Sequence, residues 1–311
     1  MDAHLHPIGD AYLLFAQLEW LRCSTFFLES ARLRKILLVL FLCFFAIPFT
    51  VQAQDNFFQR WQSRASEEQS KQPGWGVPVN QPYPMLIQVF RADFGRQITP
   101  THTDTWDYGN SKGLNLIPGF HSEFDLYPPP YIQHNTPSAK DGFGDMQFLY
   151  KYRILSANET HGNYLLSALL GASIPTGSYS NGSTDAAILP TICGGKGFGR
   201  FDVISAVGAN LPIADGEKLG RTLAWNTTAQ YHAGKYLWPE VESNATYFFA
   251  GKNDGKVQEF LEPGFTVGKL KFHPSDPKSR PGIGIGAGMQ IATSRFHTYN
   301  HQLVFTGRFL F

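Results

Sequence analysis

Charged and polar residues recur at a spacing of two in this sequence. His121, Glu123 and Asp125 occupy alternate positions, as do Lys151 and Arg153, Gln230 and His232, and Glu240 and Glu242, with Arg308 near the C-terminus. In an extended strand, residues i and i+2 point to the same side. Each set would therefore present its polar heads on one face. Apolar residues stand out of phase with them: Phe120, Phe124 and Leu126 around the first set, and Tyr150, Tyr152 and Ile154 around the second. Polar groups facing a lumen from an apolar wall have two chemistries open to them. They can form a field that selects solutes, or they can pair and brace a closed lumen.

The elements that would position these groups are alternating segments of 10–16 residues, each followed by turn residues. Met85–Gly95, Leu114–Tyr127, Asp145–Leu155, Tyr164–Pro175, Ala186–Gly197, Phe201–Ile213, Thr222–Ala233, Tyr236–Ala250, Val257–Phe272, Gly282–Thr293 and Tyr299–Phe311 are the candidates. The most explicit is Gly282–Thr293, where Ile283, Ile285, Ala287, Met289 and Ile291 alternate with glycines and Gln290. Segments this long exceed the usual sandwich strand of about 5–6 residues. Recurrent alternation over roughly 10 residues is the pattern of a transmembrane barrel. Bacterial single-chain barrels have an even strand number. Adding Thr99–Tyr108 as a further strand gives the expected fold class, all-β, an antiparallel transmembrane β-barrel of about 12 strands. In the last segment Leu303, Phe305, Phe309 and Phe311 share one face, which suits the lipid side of a closing strand.

Upstream, Arg32-Leu33-Arg34-Lys35 precedes the apolar run Ile36–Thr50, and Val51-Gln52-Ala53 ends in a small residue. Basic, apolar and cleavable parts in that order make a secretory signal peptide. The run is short of the roughly 20 residues of a membrane-spanning helix. Residues 1–53 are therefore expected to be an upstream extension plus a removed signal peptide, with translation starting near Arg32. Residues 54–84 read as a periplasmic lead-in, a strap or plug, broken by Pro73, Pro78, Pro82 and Pro84, and residues 85–311 as the outer-membrane β-barrel.

Other chemistries find little support. The 26 basic and 25 acidic residues nearly cancel, so no nucleic-acid partner is expected. There is no Gly-x-Ser-x-Gly elbow and no His-Glu-x-x-His pair, and Cys193 is the only cysteine after residue 53. Neither a metal nor a cofactor is expected, and no catalytic residue is assigned. Gly282-Ile283-Gly284-Ile285-Gly286-Ala287 matches a loose dinucleotide fingerprint, but it lies inside an alternating segment with no acid about 20 residues on.

Two stretches carry a family resemblance. Gly142-Phe143-Gly144-Asp145, continuing to Lys151-Tyr152-Arg153, resembles the Gly-x-Gly-Asp…Lys-Tyr-Arg strand of the phenol meta-pathway degradation family of outer-membrane proteins. Ser173-Ile174-Pro175-Thr176-Gly177-Ser178-Tyr179 resembles that family's Pro-Thr-Gly-Asp loop, with Ser178 in place of Asp. The resemblance extends over most of 113–311. It implies an outer-membrane barrel passing small, often aromatic or apolar, molecules, and it carries over no catalytic residue.

The function expected is thus a channel in the outer membrane of a Gram-negative-type bacterium, passing small solutes by passive diffusion. A structural or adhesive barrel with a filled lumen is the alternative, and an outer-membrane lipid-modifying enzyme a weaker one. The lumen-lining candidates are His121, Glu123, Asp125, Lys151, Arg153, Gln230, His232, Glu240, Glu242 and Arg308. Phe309 and Phe311 are candidates for an assembly signal. Expected partners are membrane lipid, the outer-membrane assembly machinery and a small-molecule solute, with the oligomeric state left open.

Overall fold

The computed structural model describes residues 51–276 and 279–311. The alternating segments become strands because alternation lets each bury one face and leave the other apolar and exposed. The described strands are β1 (Val89–Ile98), β2 (Asp104–Gly109), β3 (Leu114–Gly119), β4 (Ser122–Tyr127), β5 (Tyr131–His134), β6 (Gly142–Phe143), β7 (Met146–Ala157) and β8 (Tyr164–Ile174). They continue with β9 (Ala187–Phe198), β10 (Phe201–Pro212), β11 (Thr222–Tyr231), β12 (Leu237–Phe248), β13 (Val257–Lys271), β14 (Gly282–Ala292) and β15 (His301–Leu310). A helix, α1 (Val51–Ser70), precedes them, and a short one, α2 (Gly216–Leu219), sits between β10 and β11.

All strands belong to one sheet, and the pairings are antiparallel. The sheet closes because β15 also pairs with β1, in register from Val89↔Leu310 to Ile98↔His301. Three staves of the barrel are broken. Asn110–Gly113 interrupts β2/β3, Pro128–Pro130 interrupts β4/β5, and Gly144-Asp145 interrupts β6/β7, while the ladder resumes beyond each break. Fifteen strands therefore make a closed antiparallel barrel of twelve staves.

In β14 the glycines and Gln290 face inward and Ile283, Ile285 and Ile291 face out. Phe305 and Phe309 of β15 also face out, while Gln302, Val304, Thr306 and Arg308 are buried. Around the wall, Phe94, Tyr150, Tyr152, Ile192, Val203, Trp225 and Phe265 continue this exposed apolar belt. No helix among the described residues is long and apolar enough to cross a membrane.

The strand boundaries correct the sequence reading in three places. Leu114–Tyr127 is a hairpin of β3 and β4, paired from Leu114↔Leu126 to Gly119↔Ser122, with a turn at Phe120-His121. His121 lies there at φ 55°, in the left-handed region. The sequence signal was Pro118-Gly119, a turn pair that the continuing alternation masked. Thr99–Tyr108 starts as a turn, with strand only from Asp104. Residues 85–88 precede β1, and Met85, Leu86 and Ile87 are buried. The total of twelve survives because the displaced boundaries offset one another.

Candidate functional site

The four lead-in prolines carry no N–H and prevent regular pairing, so residues 71–88 join no strand ladder. Buried backbone groups must nevertheless be bonded. The inner wall of the barrel supplies those partners. Cationic side chains donate to the segment's carbonyls, and carboxylates accept from its N–H groups.

From β15, Arg308 donates through Nη1 to Val77 O at 2.6 Å and through Nη2 to Pro78 O at 2.7 Å. From β12, Glu240 Oε1 accepts from Val79 N at 2.8 Å, and the two Glu242 oxygens accept from Asn80 N at 3.2 Å and Gln81 N at 3.0 Å. Arg91 of β1 reaches Val79 O while held by Asp93, with Nη2–Oδ2 at 2.7 Å. Ser167 Oγ donates to Pro84 O at 2.7 Å, and Lys151 Nζ to Met85 O at 2.9 Å. Glu123 accepts from Ile87 N and from Lys151 Nζ, the latter at 2.7 Å. The thiol of Cys193 donates to Pro82 O at 3.6 Å.

The segment also folds on itself. The Gln72 side chain accepts from Leu86 N and donates to Leu86 O, both at 2.9 Å, copying a strand pair with one amide. Where α1 ends, Arg153 Nη1 donates to Glu68 O at 2.6 Å, and its Nη2 pairs with the Glu68 carboxylate. A cation at a helix C-terminus also suits the helix dipole. Burial raises the pKa of the Glu68 carboxyl. Hydrogen bonds from Lys71 and the His121 N–H, with the charges of Arg153 and Lys71, outweigh burial and hold it below the ordinary carboxylate value. Apolar contacts complete the seat: Tyr83, Met85, Ile87 and Val89 pack with Leu165, Leu169, Cys193, Ile204 and Ala206 of the wall. Glycine makes room for Trp75, since a Cβ on Gly195 would lie 2.7 Å from its ring.

The structure sorts the sequence candidates into three groups. Glu123, Lys151, Arg153, Glu240, Glu242 and Arg308 converge on the segment, and Gln230 joins them by donating to Glu240. Asp125 is buried and accepts from the Tyr127 hydroxyl at 2.7 Å, apart from the clamp. The two histidines lie at strand ends. His121 is about half exposed in its turn, 3.4 Å from Arg153 Nη2. His232 follows β11 and stacks on Trp238 at 4.3 Å. Phe309 and Phe311 stack with ring centroids 6.1 Å apart. The sequence reading missed Arg91 and Asp93, whose spacing of two carries the same signal as the other pairs. It also missed Glu68, Gln72, Ser167 and Cys193, which have no such signal.

The two family-like stretches meet at the other end of β7. Asp145 accepts from Gly177 N at 3.0 Å and from Ser183 N at 2.7 Å. Ser178 Oγ accepts from Phe143 N at 2.9 Å. The side chains hold two loops together there, which accounts for motif residues that contribute nothing to the clamp.

No family model and no curated protein matches the chain. Among solved structures it is similar to an outer membrane channel from Pseudomonas putida F1, with a TM-score of 0.53 and 11% identity, over 76% of this chain and 100% of that one. The two chains share a fold. At this identity the likeness stops there.

Proposed function

We propose that the chain is an outer-membrane channel for small solutes, held shut by its own N-terminal segment. The clamp carries this reading: inward charges spaced around the barrel bind the backbone of residues 68–87, and the pairs they form with one another, Arg91 with Asp93 and Lys151 with Glu123, reach it as well. Backbone bonds hold a segment without specifying its side chains and can be exchanged for water when it moves. The exposed apolar belt suits lipid, since exposed apolar patches beyond a few hundred Å² are uncommon on soluble monomers. The fold likeness to a channel, and the resemblance of the 142–155 and 173–179 stretches to the phenol meta-pathway degradation family, support the same assignment. The signal peptide lies mostly outside the described residues and enters as part of the proposal.

The orientation follows from the loops. The tight turns at 120–121 and 199–200 share an end with the start of β1 and the end of β15, and we place that end in the periplasm. The loops at 175–186 and 213–221 then lie outside, matching the usual asymmetry of short inner turns and longer outer loops. The solutes are small and neutral enough to pass by diffusion once the segment yields. Phe309 and Phe311 serve as the assembly signal.

Liposomes carrying the full chain should take up small neutral solutes faster than empty liposomes. Equal uptake, with the barrel folded, would defeat the channel reading. It would favour the second one, a structural barrel whose lumen the clamped segment fills permanently.

A further inference from the structure

A cavity of about 220 Å³ lies between the segment and the wall, floored by Asn80–Tyr83 and bounded by Leu149, Leu169 and Leu189. Arg91 and Lys151 reach it already compensated, by Asp93 and Glu123 at 2.7 Å each, and both also donate to the segment's carbonyls. Lys112 and Asp125 are the other charged groups on its lining, and neither forms an ion pair among the described residues. Left-handed backbone at Asn110 and Ser111, φ 44° and 49°, breaks the stave just before Lys112 and brings it to the cavity. Its ammonium has no hydrogen-bond partner among the described residues and lies 6.0 Å from the centroid of the Tyr127 ring. Asp125 is 1% exposed; the Tyr127 hydroxyl occupies its Oδ2 at 2.7 Å, and Oδ1 has no partner. Gln81, 3% exposed, brings an Nε2 that is likewise unbonded.

A cation, an anion and a neutral donor thus line one space without partners in the protein. Charged groups taken out of water are stable only when paired and hydrogen-bonded. Lys112 and Asp125 do not pair with each other, so a guest has to answer each separately. An anion leaves Asp125 open, a cation leaves Lys112 open, and an uncharged guest leaves both. A cavity of about 150 Å³ admits benzene, so a space about half as large again holds roughly nine non-hydrogen atoms, the size of leucine. We propose that the cavity binds a small zwitterion of the amino-acid class. Its carboxylate accepts from Lys112 Nζ and Gln81 Nε2, its ammonium donates to Asp125 Oδ1, and its apolar side chain lies against Leu149, Leu169 and Leu189. Lys112 and Asp125 belong to the wall and Gln81 to the segment, so the guest joins the two. As the solute that the channel reads, the zwitterion rests on the function proposed above. As a binding site, the cavity stands on its own geometry.

The test uses the full chain in lipid nanodiscs at neutral pH, with the protein's leucine methyl resonances as the readout. The probes are free L-leucine, isocaproate without the ammonium, isoamylamine without the carboxylate, and isoamyl alcohol without either charge. Free L-leucine should shift the Leu149, Leu169 and Leu189 methyls saturably. It should bind at least about tenfold tighter than each analogue, because every charge removed from the guest leaves one in the cavity unpaired. Asp125→Asn should erase the preference over isocaproate and keep that over isoamylamine. Lys112→Met should do the reverse. The proposal is overturned if the folded wild type shows no saturable shift, if any analogue binds as tightly as L-leucine, or if both folded variants keep the wild-type order. Solute uptake into liposomes is a separate readout, so failure of the binding site and failure of the channel reading remain distinguishable.

Discussion

Removing Glu123 should release the segment without unfolding the barrel. Glu123 is fully buried and accepts from Lys151 Nζ at 2.7 Å, from Asn115 Nδ2 at 3.1 Å and from Ile87 N. In Glu123→Leu the Lys151 ammonium, itself 1% exposed, keeps only Met85 O and the face of Tyr83, 4.0 Å from the ring centroid. Breaking a buried ion pair from one side costs about 3–5 kcal/mol. The staves remain laddered, so the cost falls mainly on the docking of residues 83–87. At about 1.4 kcal/mol per factor of ten, the docked-to-released ratio drops by roughly two to three orders of magnitude. Cys193 is a native reporter, fully buried with its thiol against Pro82 O. With Cys23→Ser and Cys43→Ser where the upstream residues are retained, thiol labelling of the folded protein should accelerate about a hundredfold or more. Lys151→Met should accelerate it too. The double variant Glu123→Leu/Lys151→Met should recover most of the loss, because a buried pair replaced by apolar groups is often neutral. The reasoning fails if either folded single variant labels at the wild-type rate, or if the double labels faster than both singles.

Three further outcomes follow from the same geometry. Because the Glu68 carboxyl is held below its ordinary value, the unfolded chain takes up its proton first as pH falls. The Glu68–Arg153 contribution is therefore complete at neutral pH and is lost as pH falls through the lowered value. The urea midpoint followed by tryptophan emission should drop in acid for wild type, and Glu68→Gln should start lower and respond less. Gly195→Ala places a Cβ 2.7 Å from the Trp75 ring and 2.8 Å from Val203 O, and overpacking of this kind costs about 1–3 kcal/mol. An unchanged Trp75 emission and urea midpoint would contradict that. Replacing Phe309 and Phe311 by Ser should lower the membrane-inserted, heat-modifiable fraction in cells, and an undiminished fraction would remove them as the assembly signal.

Much of the barrel was legible because alternation is a local property. The glycine–isoleucine alternation of β14 and the aromatic alternation of β7 predicted both strands to within a residue or two. Legibility failed where a turn preserved the phase. At Phe120-His121 the pattern continues across the turn, and at Pro128–Pro130 a proline run reads as loop although the ladder resumes at Tyr131. Spacing of two also exposed the inward charges of β7 and β12. Their partners stayed hidden, because the lead-in has no periodicity and its bonds span long separations. Arg153 reaches a carbonyl 85 residues away, and Arg308 one 230 residues away. A carbonyl freed by a nearby proline carries no mark of which wall side chain will meet it.

The most direct test of the central claim is single-channel conductance of the full chain beside Glu240→Gln/Glu242→Gln. These two carboxylates accept three consecutive segment N–H groups, at Val79, Asn80 and Gln81. An amide offers one acceptor in place of two and sets its own N–H donors against the segment's. The wild type should be mostly closed with brief openings. The variant should open far more often to the same unit conductance, and Cys193 labelling should rise in parallel. Silence from both proteins with the barrel folded would contradict the account, as would a steadily open wild type whose Cys193 stays protected.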